Sequence, residues 1–205
     1  MRITLHQLGK RFNRQWIFKN IDYTFEANFG YAITGPNGSG KSTLLQVLAG
    51  SMLHSSGQIA YWHLQQKVPP QQQYQHVAIA APYLELIEEL TLAEFLQFHH
   101  QFKPFAPAHS FSAMAQTVGL QHALHRQIRL FSSGMKQRVK LAQAFFSQAP
   151  VLLLDEPTAN LDAEGIALYH SLIQQFSANR IVIVGSNDAQ ETQFCQHSLH
   201  LPHYQ

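Results

Sequence analysis

Three segments near the N-terminus alternate apolar and polar residues. In IDYTFEA the apolar Ile21, Tyr23 and Phe25 are separated by single polar residues, and RITLHQL and QIAYWHL show a weaker form of this pattern. Because successive side chains of a strand point to opposite faces, a two-residue period is typical of strands that bury one face. These segments therefore predict antiparallel strands packed on one face.

Four other apolar runs are continuous, which is typical of strands that helices cover on both faces. They are YAIT (31–34), VAIAA (77–81), VLLL (151–154) and IVIV (181–184). Segments with apolar residues three or four positions apart lie between these runs and predict helices. The helical segments are STLLQVLAG, LTLAEFLQFHHQF, KQRVKLAQAFFSQ and EGIALYHSLIQQFS. This alternation predicts an α/β fold whose mixed sheet has a parallel centre.

The 205 residues suffice for one substantial core, so we expect a single domain over residues 1–205. From about Tyr83 to Leu130 the pattern is helical without a convincing strand, and KPFAPAHS interrupts it with two prolines. This region predicts a helical insert at approximately 83–135. The QQQYQ tract around residue 72 predicts a loop.

Composition argues against several classes of protein. Net charge is only +2 and no basic run occurs, so we expect no nucleic-acid partner. The lone Cys195 excludes an internal disulfide and favours a reducing compartment. Since no stretch approaches the roughly 18 apolar residues of a membrane span, and the N-terminus lacks an apolar signal segment, we expect a cytoplasmic protein.

The C-terminal region gathers Cys195, His197, His200 and His203 at intervals that a transition metal ion could bridge. However, no acid or second cysteine completes a tetrahedral set, and histidine is scattered through the whole chain. We therefore expect ordinary surface residues.

The glycine-rich segment GPNGSGKST directly follows YAIT and matches the pattern G-x-x-x-x-G-K-[ST]. Between a strand and a helix, such a loop turns backbone N–H groups toward phosphate oxygens at the positive end of the helix. We expect Lys41 to reach the β- and γ-phosphates of a nucleotide and Ser42 to bind Mg²⁺. The candidate nucleotide-binding residues of this segment are Gly35, Pro36, Asn37, Gly38, Ser39, Gly40, Lys41, Ser42 and Thr43.

Two acids follow the buried run VLLL. Ligands of parallel α/β sheets bind outside the carboxyl ends of the strands, so these acids should lie near the phosphate loop. We expect Asp155 to hold Mg²⁺ through water and Glu156 to orient or deprotonate an attacking water. Adjacent acids suit hydrolysis better than kinase chemistry.

The ordered segments GPNGSGKST, FSSGMKQRVKLAQAF, VLLLDEPT and EPTANLD resemble the ATP-binding cassette (ABC) ATPases over essentially the whole chain. The resemblance implies a P-loop NTPase with a RecA-like core, an N-terminal antiparallel β subdomain and an inserted helical subdomain. It also implies that two copies face head to tail around two ATP molecules. The five signature positions are Phe131, Ser132, Ser133, Gly134 and Met135, and Asp162 ends the D-loop. Ser132 and Gly134 of one copy would then contact the γ-phosphate held by Lys41 of the other.

The resemblance also places an aromatic residue ahead of the phosphate loop, where it stacks on adenine. Phe12 is the matching position, and Trp16 is the alternative. A core role in an antiparallel strand is the competing interpretation of either side chain.

Several positions depart from the pattern of the family. The glutamine expected near IAAPYLELIEELT is missing, and Pro82 or its neighbour stands there. The first signature glycine is Ser133, and the last signature residue is Met135. The histidine expected after IVIV is Asn187, which can donate a hydrogen bond but cannot take up a proton near neutral pH. We expect Asn187 to act at the γ-phosphate by sensing and orienting rather than by acid–base chemistry.

These observations favour the ATPase subunit of an ABC transporter, bound to a second nucleotide-binding subunit and to an integral membrane permease. The permease would contact a groove between the sheet core and the helical insert, around residues 81–89. Two alternatives stay open: an ATP-dependent interaction switch with weak hydrolysis, and a soluble ABC ATPase acting on nucleic acid or the ribosome. A kinase or a GTPase would leave the signature and D-loop segments unexplained.

Overall fold

The structure is a computed structural model that describes residues 1–106 and 109–204. The chain divides into two compact units. One comprises Met1–Ile79, Pro150–Asp155 and Asn179–Gln205, and the other comprises Ala80–Ala149 and Glu156–Ala178. The second of the two prolines expected to interrupt the helical region, Pro107, lies outside the described residues.

The first unit contains an antiparallel sheet with the strand order β2-β1-β4-β5. Its strands are β1 (Arg2–Phe12), β2 (Gln15–Glu26), β4 (Ser56–His63) and β5 (Gln66–Lys67). Ile3 pairs with Phe25 and Leu5 with Tyr23 across β1 and β2, and Ile3 and Phe25 are fully buried. IDYTFEA and RITLHQL are thus confirmed as antiparallel strands that bury one face, whereas QIAYWHL is antiparallel but buries only Tyr61.

A second sheet has the order β6-β7-β8-β3-β9 among the described residues. Its strands are β3 (Gly30–Thr34), β6 (Val77–Ala80), β7 (Val151–Asp155), β8 (Ile181–Gly185) and β9 (His197–His200). The pairs β7–β8, β8–β3 and β3–β9 are parallel. The α/β class and the parallel centre are confirmed, although the antiparallel strands form a sheet of their own instead of joining one mixed sheet.

Helix α1 (Lys41–Ala49) follows β3 and ends at Gly50, whose φ of 75° forms a left-handed C-cap. It contacts β7 and β8, and its Leu44 and Leu45 are fully buried in the core of the first unit. The tract predicted as a loop around residue 72 is a 3₁₀ helix over Pro70–His76, so that prediction was wrong. Proline is favoured in the first turn of a helix, which explains why this segment begins at Pro70.

The second unit is helical. It contains α2 (Leu92–Phe102), α3 (Phe111–Thr117), α4 (Ser133–Phe145) and α5 (Ala163–Phe176). Helix α2 begins with a capping box in which Thr91 and Glu94 exchange hydrogen bonds with each other's backbone. Tyr169 of α5 packs against Phe145 of α4 with ring centroids 6.5 Å apart, and both side chains are buried.

A short helix, α6 (Ala189–Thr192), belongs to the first unit and follows β8. Asp188 caps it by accepting a hydrogen bond from the N–H of Gln190 at 2.8 Å. Throughout residues 1–106 and 109–204, every helix is too short or too polar to cross a bilayer.

Candidate nucleotide-binding site

The phosphate loop connects the end of β3 to the start of α1. Gly35 and Gly40 have φ angles of 147° and 102°, a region that residues with a Cβ rarely adopt. A Cβ on Gly40 would also come within 2.4 Å of the Ile17 side chain. Gly40 is the N-cap of α1 and no side chain caps this helix. The first turn of α1 therefore presents backbone N–H groups to an anion.

Lys41 lies in the first turn of α1 and is 6% exposed. Its Nζ donates hydrogen bonds to the carbonyl oxygens of Gly35, at 2.8 Å, and of Pro36, at 3.3 Å. Ser39 is also buried, and its hydroxyl has no hydrogen-bond partner within the described part of the chain. A buried ammonium and an unsatisfied hydroxyl inside one loop fit phosphate oxygens.

The carboxyl ends of three strands meet beside this loop. Gly185 of β8 is in register with Asp155 of β7 and with Ile33 of β3. A Cβ on Gly185 would come within 3.2 Å of Asp155 Oδ1 and 2.8 Å of Leu45 Cδ1, so glycine leaves room for the carboxylate. Asp155 is 2% exposed, and its oxygens with the hydroxyl of Ser42 are the ligand type that Mg²⁺ prefers.

Glu156 follows Asp155 directly and is exposed. Its φ of 42° lies in the left-handed region, which is unfavourable for a residue with a side chain and recurs at functional sites. The carboxylate of Glu156 thus projects from a sharp turn at the end of β7.

Asn187 lies in the polar tip after β8 and contacts the phosphate loop. Its Oδ1 accepts a hydrogen bond from the N–H of Gly35 at 3.0 Å, and its Nδ2 donates one to the carbonyl oxygen of Gly35 at 2.6 Å. Sequence reasoning placed Asn187 near the phosphate but missed this pairing.

The hairpin of β1 and β2 distinguishes the two aromatic candidates. Phe12 shares a face of the hairpin with Lys10, whose Nζ lies over its ring, and Lys10 is paired with Phe18. A Cβ on Gly40 would lie 3.5 Å from the Phe18 ring, so Phe12 is on the face that adjoins the phosphate loop. Trp16 is on the opposite face. The Phe12 ring is 46% exposed.

A lysine missed by sequence reasoning lies beside Phe12. The Nζ of Lys10 is 4.8 Å from the ring centroid of Phe12 and donates a hydrogen bond to the carbonyl oxygen of Leu53. The two-residue spacing of Lys10 and Phe12 on a strand was the signal that could have found it.

The signature residues lie at the start of α4 in the second unit. Ser132 is the N-cap and accepts a hydrogen bond from the N–H of Met135 at 3.2 Å, and Ser133 is the first residue of the helix. A Cβ on Gly134 would come within 3.0 Å of the Asn160 carbonyl oxygen. A cavity of about 470 Å³ opens over these residues and is also lined by Asp162.

Asp162 caps α5 by accepting a hydrogen bond from the N–H of Gly165 at 2.8 Å. It also pairs with the guanidinium of Arg138 on α4 at 3.3 Å. The Gly165 N–H and the Arg138 guanidinium lower the pKa of the Asp162 carboxyl. Asp162 is therefore held as an anion at the edge of the cavity over the signature residues.

Pro82, at the position of the missing glutamine, accepts a hydrogen bond through its carbonyl oxygen from Lys140 Nζ at 2.7 Å. Burial and the neighbouring Lys136 lower the pKa of Lys140. A cavity of about 570 Å³ lies at this place within the second unit, and its lining consists of both lysines with Pro82, Leu84, Glu85, Leu86, Glu88 and Glu89. We call it the 82–89 cavity. Its exposed acids are Glu85 and Glu89, whereas Glu88 is paired with Lys136 at 2.5 Å.

The C-terminal histidines pack against strand β3. His197 stacks on Tyr31 with ring centroids 5.2 Å apart, and His200 Nδ1 is 3.1 Å from the Thr34 hydroxyl. Burial raises the pKa of the Cys195 thiol to about 12. Within residues 1–106 and 109–204, no three metal-binding side chains form a group that could hold a metal ion.

Comparison with known proteins shows the family to which this chain belongs. The family model of the ABC transporter family matches residues 18–159, which include the phosphate loop, the signature residues and both acids. The chain belongs to the ABC transporter family, as an ATP-binding protein. The ATP-binding proteins of this family are ATPases that bind ATP.

Relatives extend this likeness over most of the chain. The uncharacterized ABC transporter ATP-binding protein YybJ of Bacillus subtilis is 30% identical over 98% of this chain and 93% of its own length. The cytochrome c biogenesis ATP-binding export protein CcmA of Xylella fastidiosa is 37% identical over 73% of this chain and 67% of its own length. The dimeric ATP-binding cassette MJ0796, bound to ADP and phosphate, has the same fold, with a TM-score of 0.76, 20% identity, and coverage of 97% and 93% of the two chains.

Proposed function

We propose that this protein is the ATP-binding and ATP-hydrolysing subunit of an ABC transporter. The observation that carries the proposal is the phosphate loop, in which Lys41 lies buried against the loop carbonyls. The acid Asp155 ends β7, the strand that pairs with β8. This arrangement combines a cradle for phosphate oxygens with oxygen ligands for Mg²⁺.

The reaction is hydrolysis of ATP to ADP and phosphate. Lys41 binds the β- and γ-phosphates, and the N–H groups at the start of α1 bind phosphate oxygens. Ser42 and Asp155 would hold Mg²⁺, which would supply positive charge to neutralise the charge that develops on the phosphates. Glu156 orients and deprotonates the attacking water. Phe12 stacks on the adenine ring, a role that its shared face with Lys10 and Phe18 supports.

Two copies of the nucleotide-binding subunit assemble around two ATP molecules, as a homodimer or with a related subunit. The start of α4 is a second anion site, since Ser132, Ser133 and Gly134 precede or begin a helix of 13 residues. The γ-phosphate held by one copy contacts this site in the other copy. Because hydrolysis removes that contact, it also removes the free energy that holds the dimer closed.

The membrane permease binds the 82–89 cavity, so that closing and opening of the dimer moves the permease. The exposed Glu85 and Glu89 beside the lysines of α4 give this cavity a mixed charge suited to a polar segment of the partner. Through the permease, the protein is held at the cytoplasmic face of the membrane.

A second candidate is an interaction switch that closes on ATP but hydrolyses it slowly. It is favoured by the positions of Pro82 and Asn187, where the family pattern has a glutamine and a histidine. Asn187 carries no group that takes up a proton near neutral pH, whereas histidine does. The two candidates bind ATP alike and differ in turnover.

Binding and assembly are tested together on the purified protein. Titration calorimetry with ATP and Mg²⁺ measures binding, and size-exclusion chromatography with light scattering measures mass, using Glu156→Gln to prevent turnover. We expect ATP to bind and to double the mass of Glu156→Gln, and Ser132→Arg to bind ATP while staying a monomer. Failure of the unmodified protein to bind ATP would refute the proposal.

A further inference from the structure

Asn187 is bonded to both backbone groups of a single residue in the phosphate loop. It accepts from the Gly35 N–H and donates to the Gly35 carbonyl oxygen. Among asparagine, aspartate and histidine, only the side-chain amide of asparagine presents a donor and an acceptor on adjacent atoms of one group. Aspartate presents acceptors alone, and neutral histidine carries its donor and acceptor on separate ring nitrogens.

The residues on either side of Asn187 are themselves fixed. The N–H of Ser186 donates to the carbonyl oxygen of Ile33 at 3.1 Å, which ties it to β3. Asp188 donates its N–H to the hydroxyl of Ser186 and caps α6. The carboxamide of Asn187 is therefore presented to Gly35 from a backbone with little freedom.

The carbonyl oxygen of Gly35 accepts a second hydrogen bond, from Lys41 Nζ at 2.8 Å. Asn187 and Lys41 thus share one acceptor, as the two lone pairs of a carbonyl oxygen permit. When Lys41 turns to a bound phosphate, that carbonyl loses one donor and keeps the other. Without Asn187 the same movement would leave the carbonyl without either donor, and an unsatisfied acceptor is costly.

We infer that Asn187 is a positioning residue of the phosphate loop, which keeps the Gly35 carbonyl satisfied while Lys41 leaves it for the nucleotide. This inference rests on the proposed binding of ATP by the loop. It replaces contact with the γ-phosphate as the main role of Asn187. Since Lys41 reaches the β-phosphate as well, Asn187 supports the binding of ADP and ATP equally.

The test measures dissociation constants of MgADP and MgATP by titration calorimetry in the Glu156→Gln background. Asn187→Ala is expected to weaken both nucleotides by a similar factor, at least about threefold. Asn187→Asp, of nearly the same shape, should weaken both at least as much because its carboxylate faces the Gly35 carbonyl. The control is Thr34→Val, which removes the contact with His200 one residue before Gly35 and should leave both constants unchanged.

Three results would overturn the inference in distinguishable ways. Unchanged constants in both Asn187 variants, with or without a lower melting temperature, would leave Asn187 a structural residue. Weaker binding of ATP alone would place its action at the γ-phosphate. Absence of nucleotide binding in the unmodified protein would overturn the proposed function, and the inference with it.

Discussion

Lys41 donates a hydrogen bond to the carbonyl oxygen of Gly35, which lies in its own phosphate loop, at 2.8 Å. The ammonium is therefore buried and already directed into the loop before a phosphate arrives. Preorganisation of this kind lowers the cost of binding because little conformational freedom remains to be lost.

Replacing Lys41 with methionine should weaken ATP binding by at least about tenfold, since hydrogen bonds to charged groups contribute about 1.5–3 kcal/mol. Titration calorimetry measures the change. The matched control is Lys67→Met, which removes an exposed lysine from β5 and should bind ATP like the unmodified protein. Equal affinity in both variants would mean that the loop does not hold the phosphates.

Substitutions of Phe12 and Trp16 test which of the two side chains stacks on adenine. Phe12→Ala should weaken ATP binding about fivefold, because an aromatic stacking contact contributes about 1 kcal/mol. Phe12→Tyr should restore it. Trp16→Ala changes the opposite face of the hairpin and should leave ATP affinity unaltered. A loss confined to Trp16→Ala would assign the stacking to Trp16.

Substitution of an exposed acid tests whether the permease binds at the 82–89 cavity. Glu89→Lys reverses a charge there and should abolish co-purification with the permease while ATP affinity of the isolated protein stays the same. Glu26→Lys makes an equal charge change on β2 and should keep the permease bound. The contrary finding, in which the permease stays bound to Glu89→Lys, would move the docking site elsewhere.

His99 should make stability depend on pH. It stacks between Phe95 and Phe105, and burial, followed by Lys103 and His100, lowers its pKa from 6.5 to about 4. Between those values the unfolded chain binds a proton that the folded chain does not, so the free energy of unfolding falls as pH drops from about 6.5 to 4.

The expected loss is up to about 2 kcal/mol, measured by urea unfolding at pH 7 and pH 4.5. His99→Phe keeps an aromatic ring at this position and should lose less stability between the two pH values than the unmodified protein. The same loss in both proteins would show that other groups cause it.

Elements with a strong local pattern were predictable from the sequence. The runs YAIT, VLLL and IVIV became buried strands because hydrophobic burial on both faces leaves an uninterrupted apolar signal. Strand β9 was missed, since only Leu199 of His197–His200 is buried and an edge strand needs few apolar residues. The tract around residue 72 was misassigned because its glutamines carry no periodic signal.

The site itself was predictable as far as its motifs are contiguous. The loop before Lys41 and the acids after VLLL each lie in one short segment. The pairing of Asn187 with Gly35 joins residues 152 positions apart, and the bond from Lys140 to Pro82 joins residues 58 apart. Contacts of this kind depend on the sheet order and on helix packing, which no local pattern specifies.

Single-turnover hydrolysis of ATP tests the central claim most directly. Purified protein in excess over radiolabelled ATP and Mg²⁺ is compared with Glu156→Gln, and release of phosphate is followed with time. We expect the unmodified protein to hydrolyse bound ATP at least about 100-fold faster than Glu156→Gln, the range typical of a general base. Equal, near-zero rates in the two proteins would contradict the assignment of an ATPase and leave the interaction switch.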